Sequence, residues 1–210
     1  MRTLPVTALA IALATQAVPA QSFRRIDAAP VIGGALFVRQ LPDSFQVTSA
    51  NNQTKILRGV GLNDALVIGG HLNLWLSPAL SVEASGLFMP SQLHGDAGTT
   101  SVDVSAFTLG GRFVTAEGRR VRPYLAIGAG AKRYDFSGDV TGYATHFAFS
   151  GGAGVMSVLA EEIHLRADLR DCVSVFTSET GAASRIQHDL ILSVGIDLAV
   201  WRRRTNTSLR

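Results

Sequence analysis

The chain has 210 residues, a net charge of +3, one cysteine and 21 glycines. A single cysteine excludes an internal disulfide framework, and so modest a charge, partly carried by C-terminal arginines, does not indicate nucleic-acid binding. Many glycines, few charges and almost no helical periodicity predict an all-β protein.

Residues 1–20 have the layout of a secretory signal peptide. Arg2 gives an early positive charge, an apolar run extends from Leu4 to Val18, and small residues lead to Ala20. The run is shorter than the ~20 apolar residues of a membrane-spanning helix, and no later stretch reaches even about 18. We therefore predict export, cleavage after Ala20 and a periplasmic lead over residues 21–30.

Eight later stretches alternate between apolar and polar residues, the period of two that is typical of β-strands. They are ten to sixteen residues long. Strands of soluble proteins usually have about five or six residues, whereas about 9–11 tilted residues cross a bilayer. The predicted strands are residues 31–40, 64–77, 80–90, 103–116, 121–136, 145–160, 163–176 and 188–201.

The last of these stretches alternates most clearly. Even-numbered residues such as Leu192 and Ile196 are apolar, and odd-numbered residues such as Ser193 and Asp197 are polar. Residues of the same parity, odd or even, face the same side of a strand. Ile191 is the exception because it is apolar but shares the parity of the polar residues. A membrane barrel can leave no strand edge unpaired. The last strand is therefore predicted to pair with the first, over residues 31–40.

The connections between the predicted strands alternate in length. Short turns sorted to one rim and long loops to the other are typical of outer-membrane barrels, with the short turns and the N-terminus on the periplasmic side. We predict an eight-stranded antiparallel up-and-down barrel over residues 31–201, followed by a basic polar tail over 202–210. The short connections are residues 78–79, 117–120 and 161–162, and the long ones are 41–63, 91–102, 137–144 and 177–187.

Aromatic residues lie near the predicted strand ends and are rare in the middles. Outer-membrane barrels carry aromatic girdles at both membrane interfaces. We predict one girdle at each rim. The long-loop girdle contains Phe88, Phe107, Tyr134 and Phe147, and the short-turn girdle contains Trp75, Phe113, Tyr124 and Trp201.

Within the predicted strands, charged residues alternate with apolar ones, so the two kinds face opposite sides of the barrel wall. This predicts a polar lumen and a lipid-facing exterior. Eight strands leave an interior just wide enough for side chains, so these charges should pair rather than line a pore. Asp171 disagrees because it lies on the lipid parity, which predicts either a bulge or a position above the membrane core. The predicted lumen ion network consists of Glu83, Arg112, Lys132, Arg166, Asp168 and Arg170.

Residues 122–130, Arg-Pro-Tyr followed by alternating glycines, resemble a strand of small OmpA-like and OmpW-like outer-membrane barrels. The last strand resembles the signal that the barrel assembly machinery reads, with Ser193, Gly195, Leu198 and Val200 in the required places. The charged lumen favours the simple OmpA/OmpX type. The resemblance implies a monomer of the Gram-negative cell envelope, in contact with outer-membrane lipid and lipopolysaccharide and inserted by that machinery.

No strong catalytic, cofactor or nucleic-acid motif is present, and His71 and His164 are too isolated on their faces to suggest a metal site. The leading hypothesis is therefore a non-enzymatic barrel with a structural or surface-interaction role through its extracellular loops. A narrow, porin-like channel for small solutes is the first alternative. The second is a lipid A deacylase, with Ser150 as nucleophile, His146 as base and Glu179 or Asp189 as the orienting acid.

Overall fold

The computed structural model describes residues 25–38, 44–48, 54–58, 61–95, 98–115, 118–138, 142–177 and 184–202. The predicted signal peptide and residues 203–210 of the predicted tail lie outside this part of the chain. None of the described residues belongs to a helix that is long and apolar enough to cross a membrane.

All regular elements among the described residues are β-strands, which we number in chain order. They are β1 (Arg25–Phe37), β2 (Ser44–Thr48), β3 (Thr54–Arg58), β4 (Gly61–Leu62), β5 (Ala65–Trp75), β6 (Leu80–Gly95), β7 (Gly98–Val114), β8 (Val121–Ser137), β9 (Gly142–Ala160), β10 (Ile163–Thr177) and β11 (Ser184–Arg202).

Eight long strands, β1 and β5 to β11, form a closed antiparallel barrel. Each pairs with its neighbours in sequence, and β11 returns to pair with β1 from Arg25↔Arg202 to Phe37↔Asp189. This closing pair leaves the barrel without an open edge, as a membrane requires. The predicted fold and its predicted closure are therefore confirmed.

The first strand begins at Arg25, six residues before its predicted start at Val31, so part of the predicted lead belongs to the barrel wall. Charged Arg25 and Asp27, together with Pro30, resemble a loop in sequence. In the barrel, however, Asp27 pairs with Asn73 of β5 and its side chain is fully buried. The first residues of β1 are thus stabilised by contacts inside the barrel lumen, which the local sequence does not reveal.

Strands also extend further toward the long-loop rim than predicted. β6 continues to Gly95 and β7 resumes at Gly98, so most of the predicted loop 91–102 is paired strand. β11 likewise begins at Ser184, before the predicted start at residue 188. These extensions are rich in Ser and Thr, and because they lack a clear apolar face their alternation is weak.

The first long connection, predicted as a loop over residues 41–63, contains strands of its own. β2 and β3 pair as a hairpin from Ser44↔Arg58 to Thr48↔Thr54, and Thr48 also pairs with Tyr143 of β9. β4 pairs with the outer end of β6. These short strands extend the barrel sheet at two places on the long-loop rim.

The two faces of the wall differ sharply. Outward-facing Ile127 is 74% exposed and Phe107 is 60% exposed, whereas inward-facing Arg112, Lys132 and Tyr134 are all fully buried. A row of apolar side chains in contact with the surroundings is what a lipid-facing wall requires. The core of this protein is therefore the barrel lumen.

Candidate functional site in the barrel lumen

Five of the six residues predicted as a lumen ion network lie together near the short-turn rim. The Arg166 guanidinium donates to Asp168 through Nε at 2.7 Å and Nη2 at 2.8 Å. Arg170 Nη1 donates to Glu83 Oε1 at 2.6 Å, and its Nη2 to Asp168 Oδ1 at 3.0 Å. Arg112 Nη1 lies 3.9 Å from Glu83 Oε2. All five side chains are buried.

Asp197, which parity also assigns to the lumen, completes this cluster. Its carboxylate oxygens lie 3.5 Å from Arg112 Nη1 and 3.4 Å from Arg166 Nη1. Three guanidinium groups thus face three carboxylates, and pairing of this kind makes buried charge tolerable. We call this cluster the inner ionic layer; it consists of Glu83, Arg112, Arg166, Asp168, Arg170 and Asp197.

A second group of polar side chains lies next to the inner ionic layer. The sequence did not predict it because Arg25 and Asp27 lie in the predicted periplasmic lead. Asp27 accepts a hydrogen bond from Trp75 Nε1 at 2.7 Å and forms an ion pair with Arg25. Arg25 Nη2 lies 3.0 Å from His164 Nδ1. Trp75 shares its parity with His71 and Asn73 on the same strand, and this pattern could have placed it in the lumen.

Three aromatic residues predicted for the girdles face the lumen instead, so that prediction is wrong for Trp75, Tyr124 and Tyr134. They are at most 7% exposed. The Arg112 guanidinium carbon lies 5.0 Å from the ring centroid of Trp75 and 5.2 Å from that of Tyr124. The indole N–H and phenol O–H need partners, and in the lumen Trp75 donates to Asp27 and Tyr124 to Asp168.

A glycine makes room for the Tyr124 ring. Gly154 is the register partner of Tyr124 on β9, and a Cβ atom at this position would overlap the ring. The absence of a side chain therefore lets the ring approach the neighbouring strand, where its centroid lies 5.2 Å from the guanidinium carbon of Arg112 and 5.6 Å from that of Arg166.

Lys132, the sixth predicted network residue, lies apart from the other five. It forms an ion pair with Asp189 of β11, and both side chains are fully buried. Gln187 Nε2 donates to Asp189 Oδ1 at 3.1 Å. The Lys132 ammonium nitrogen lies 4.9 Å from the ring centroid of Tyr134 and 5.3 Å from that of Phe37, distances typical of cation–π contacts.

Apolar side chains surround this pair, so the half of the lumen nearer the long-loop rim is less polar than predicted. Valines, alanines and larger side chains from all eight barrel strands pack there. We call this cluster the outer apolar layer; it consists of Ala35, Ala65, Val67, Met89, Val102, Val104, Ala106, Tyr134, Phe136, Ala148, Cys172 and Ile191. Ile191, the exception to the alternation of the last strand, is thus a lumen residue.

The other predicted girdle residues face outward. These five side chains are 43–60% exposed: Phe88, Phe107, Phe113, Phe147 and Trp201. The predicted assembly signal lies in β11, where Ser193 is buried, Gly195 is half-buried, and Leu198 and Val200 are exposed on the outer face.

The candidate residues for lipid A hydrolysis lie on the lumen face of β9, whereas a lipid substrate would lie against the outer face of the barrel. His146 and Ser150 share the parity of buried Ala148 on β9, and the His146 ring packs edge-on against the buried Tyr134 ring at 6.0 Å. Asp189 is engaged by Lys132 and Gln187. Glu179 lies outside the described residues. In the part of the chain that the structure describes, no three potential ligands cluster as a metal site would require.

Asp171 lies on the outer face, as its parity indicates. Both ladders of β10 run through this residue without a shift, so the bulge considered for it is wrong. Its carboxylate is hydrogen-bonded to His188 of β11 at 2.7 Å.

Comparison with known proteins agrees with this architecture. A family model described as "Outer membrane protein beta-barrel domain" matches residues 6–196. A search of curated proteins finds no match. The fold is similar to that of Neisserial surface protein A, at 11% identity and a TM-score of 0.59, covering 82% of this chain and 96% of that one. It is also similar to OprG from Pseudomonas aeruginosa, at 13% identity and a TM-score of 0.50, covering 87% of this chain and 99% of that one.

Proposed function

The chain belongs to the outer membrane protein β-barrel family, and from this premise we propose that it is a non-enzymatic barrel whose lumen is closed to solutes. The observation that carries the proposal is the filling of the lumen at two levels. Arg112 and Arg166 in the inner ionic layer and Met89 and Tyr134 in the outer apolar layer are each less than 2% exposed. An eight-stranded barrel is narrow enough for such side chains to close it.

In this proposal, the long-loop rim of the barrel carries the surface-interaction role. Strands β6 to β9 extend there to Gly95, Gly98, Ser137 and Gly142. Arg133 donates to Asp135 at 2.7 Å and stacks over Tyr143 at 4.6 Å, and all three side chains reach solvent. This end is the surface through which the barrel would meet its surroundings.

The absence of enzymatic activity is part of the proposal. Its support is the placement of His146 and Ser150 on the lumen face, away from lipid. The remaining partners follow from the fold family. We propose outer-membrane lipid as the surrounding medium and the barrel assembly machinery, reading Ser193 to Val200, as the insertion factor.

Planar-bilayer recording tests the closed lumen against the channel alternative. We expect the purified, folded protein to give no conductance steps. Two double variants each remove large side chains from one layer: Arg112→Ala with Tyr124→Ala in the inner ionic layer, and Met89→Ala with Tyr134→Ala in the outer apolar layer. Each double variant should stay closed because the other layer remains, whereas the quadruple variant should conduct.

Heat-dependent gel migration provides the control for folding of every variant. Steps from the unmodified barrel would contradict the proposal and favour a narrow channel. A folded quadruple variant without conductance would show that these two layers are not what closes the lumen.

A further inference from the structure

The pair formed by Asp171 and His188 lies on the lipid-facing side of the wall, where charge is unfavourable. The two side chains are 39% and 41% exposed. Exposed apolar side chains flank the pair on both sides along the strands, with Leu169 toward the short-turn rim and Ile186 toward the long-loop rim. An ionisable pair between lipid-facing apolar side chains is a candidate functional site.

A groove leads to this pair along the outer face. It has a volume of about 660 Å³, within the usual range for ligand sites, and its walls are almost wholly apolar. It crosses β7, β8, β9 and β10, because Gly111, Ile127, Gly151 and Asp171 are successive register partners. The residues that line it include Gly111, Ile127, Ala129, Phe149, Gly151 and Asp171.

The hydrogen bond to Asp171 orients the imidazole. A carboxylate can only accept, so Nδ1 of His188 carries the proton, and in the neutral ring Nε2 is left as an acceptor. His188 is the register partner of Val173, which lines the groove, so the imidazole belongs to the residue next to the β10 side of the groove. The site therefore combines an apolar channel for a chain with an oriented hydrogen-bond acceptor.

We propose that this groove binds a membrane lipid whose acyl chain carries a hydroxyl group. The chain lies in the groove between Ile127 and Phe149, and the hydroxyl donates to His188. Lipid is the occupant because this face belongs to the lipid-facing wall of an outer-membrane barrel. The proposal depends on that location and not on whether the lumen is closed.

Lipid retention measured by native mass spectrometry tests the proposal. The barrel is released from nanodiscs of phosphatidylcholine containing one of two synthetic glycolipids with the same head group, bearing either 3-hydroxytetradecanoyl or tetradecanoyl chains. We expect the hydroxylated glycolipid to be retained roughly tenfold better, the effect of about one hydrogen bond to the neutral imidazole. His188→Phe keeps a ring of similar size and should abolish this preference.

A matched pair of glycine variants tests the groove itself. A Cβ at Gly151 or at Gly86 would meet no atom within 4 Å, so both positions can take a larger side chain. Gly151→Leu fills the groove and should lose retention of both glycolipids, whereas Gly86→Leu, on β6 outside the groove, should behave like the unmodified protein. Equal retention of the two glycolipids by the unmodified barrel, or equal retention by the two leucine variants, would overturn the proposal.

Discussion

The inner ionic layer and the outer apolar layer fill the same lumen in opposite ways. Near the short turns, three arginines share three carboxylates, and each of these groups contacts more than one partner. Near the long-loop rim, apolar side chains fill the space and enclose one ion pair, Lys132–Asp189. A network must keep all its members, whereas an isolated pair in an apolar setting can be replaced as a unit.

The largest effect is expected from Arg166→Met in the inner ionic layer. Arg166 contacts Asp168, Asp197 and Glu83, so its loss removes a cationic partner from each of three buried carboxylates and leaves them to share Arg112 and Arg170. We expect the free energy of unfolding to fall by about 3–5 kcal/mol. Urea unfolding in lipid vesicles measures it. Arg133→Gln, which breaks an exposed pair with Asp135, is the control and should have little effect.

A smaller effect is expected in the outer apolar layer, and it should be reversible by a second substitution. Lys132→Met leaves the buried Asp189 carboxylate bonded to the Gln187 amide but without its cation, and should cost about 3 kcal/mol. Adding Asp189→Leu removes the remaining charge from an apolar environment, so the double variant should recover most of the lost stability. A double variant less stable than Lys132→Met alone would show that this layer also behaves as a network.

The smallest effect is expected from Trp75→Phe, at the edge of the inner ionic layer. The substitution keeps an aromatic ring over Arg112 but removes the hydrogen bond to Asp27. Because Asp27 keeps its ion pair with Arg25, we expect a loss of only about 1–2 kcal/mol in the same unfolding measurement. No loss would mean that Arg25 alone satisfies the Asp27 carboxylate.

Much of the wall could be read from the sequence because a β-strand has a period of two. Parity alone assigned Ile127 to the lipid face and Arg166 to the lumen, and it also indicated that Asp171 faces outward. It failed where the alternation was weak. Arg25 and Asp27 resembled a loop, and the Ser- and Thr-rich strand ends beyond the apolar wall had no apolar face to mark them.

The site was less predictable than the wall because parity says which side a residue faces but not which residues share a level. Lys132 and Arg112 face the same lumen, but they contact different carboxylates on β11. Trp75 and Tyr124 were assigned to girdles by their distance from the strand ends, although their parity pointed inward. Their polar atoms find partners only across the barrel, on strands distant in sequence.

The order of residues along the chain determines the number of barrel strands and the facing of most side chains, because both depend on local periodicity. Only the closed barrel decides how the lumen is divided. The stagger between neighbouring strands brings Glu83, Asp168 and Asp197 to the level of three arginines, and places Met89 and Ile191 in the apolar layer. Those levels depend on pairing across the whole sheet, which no single strand encodes.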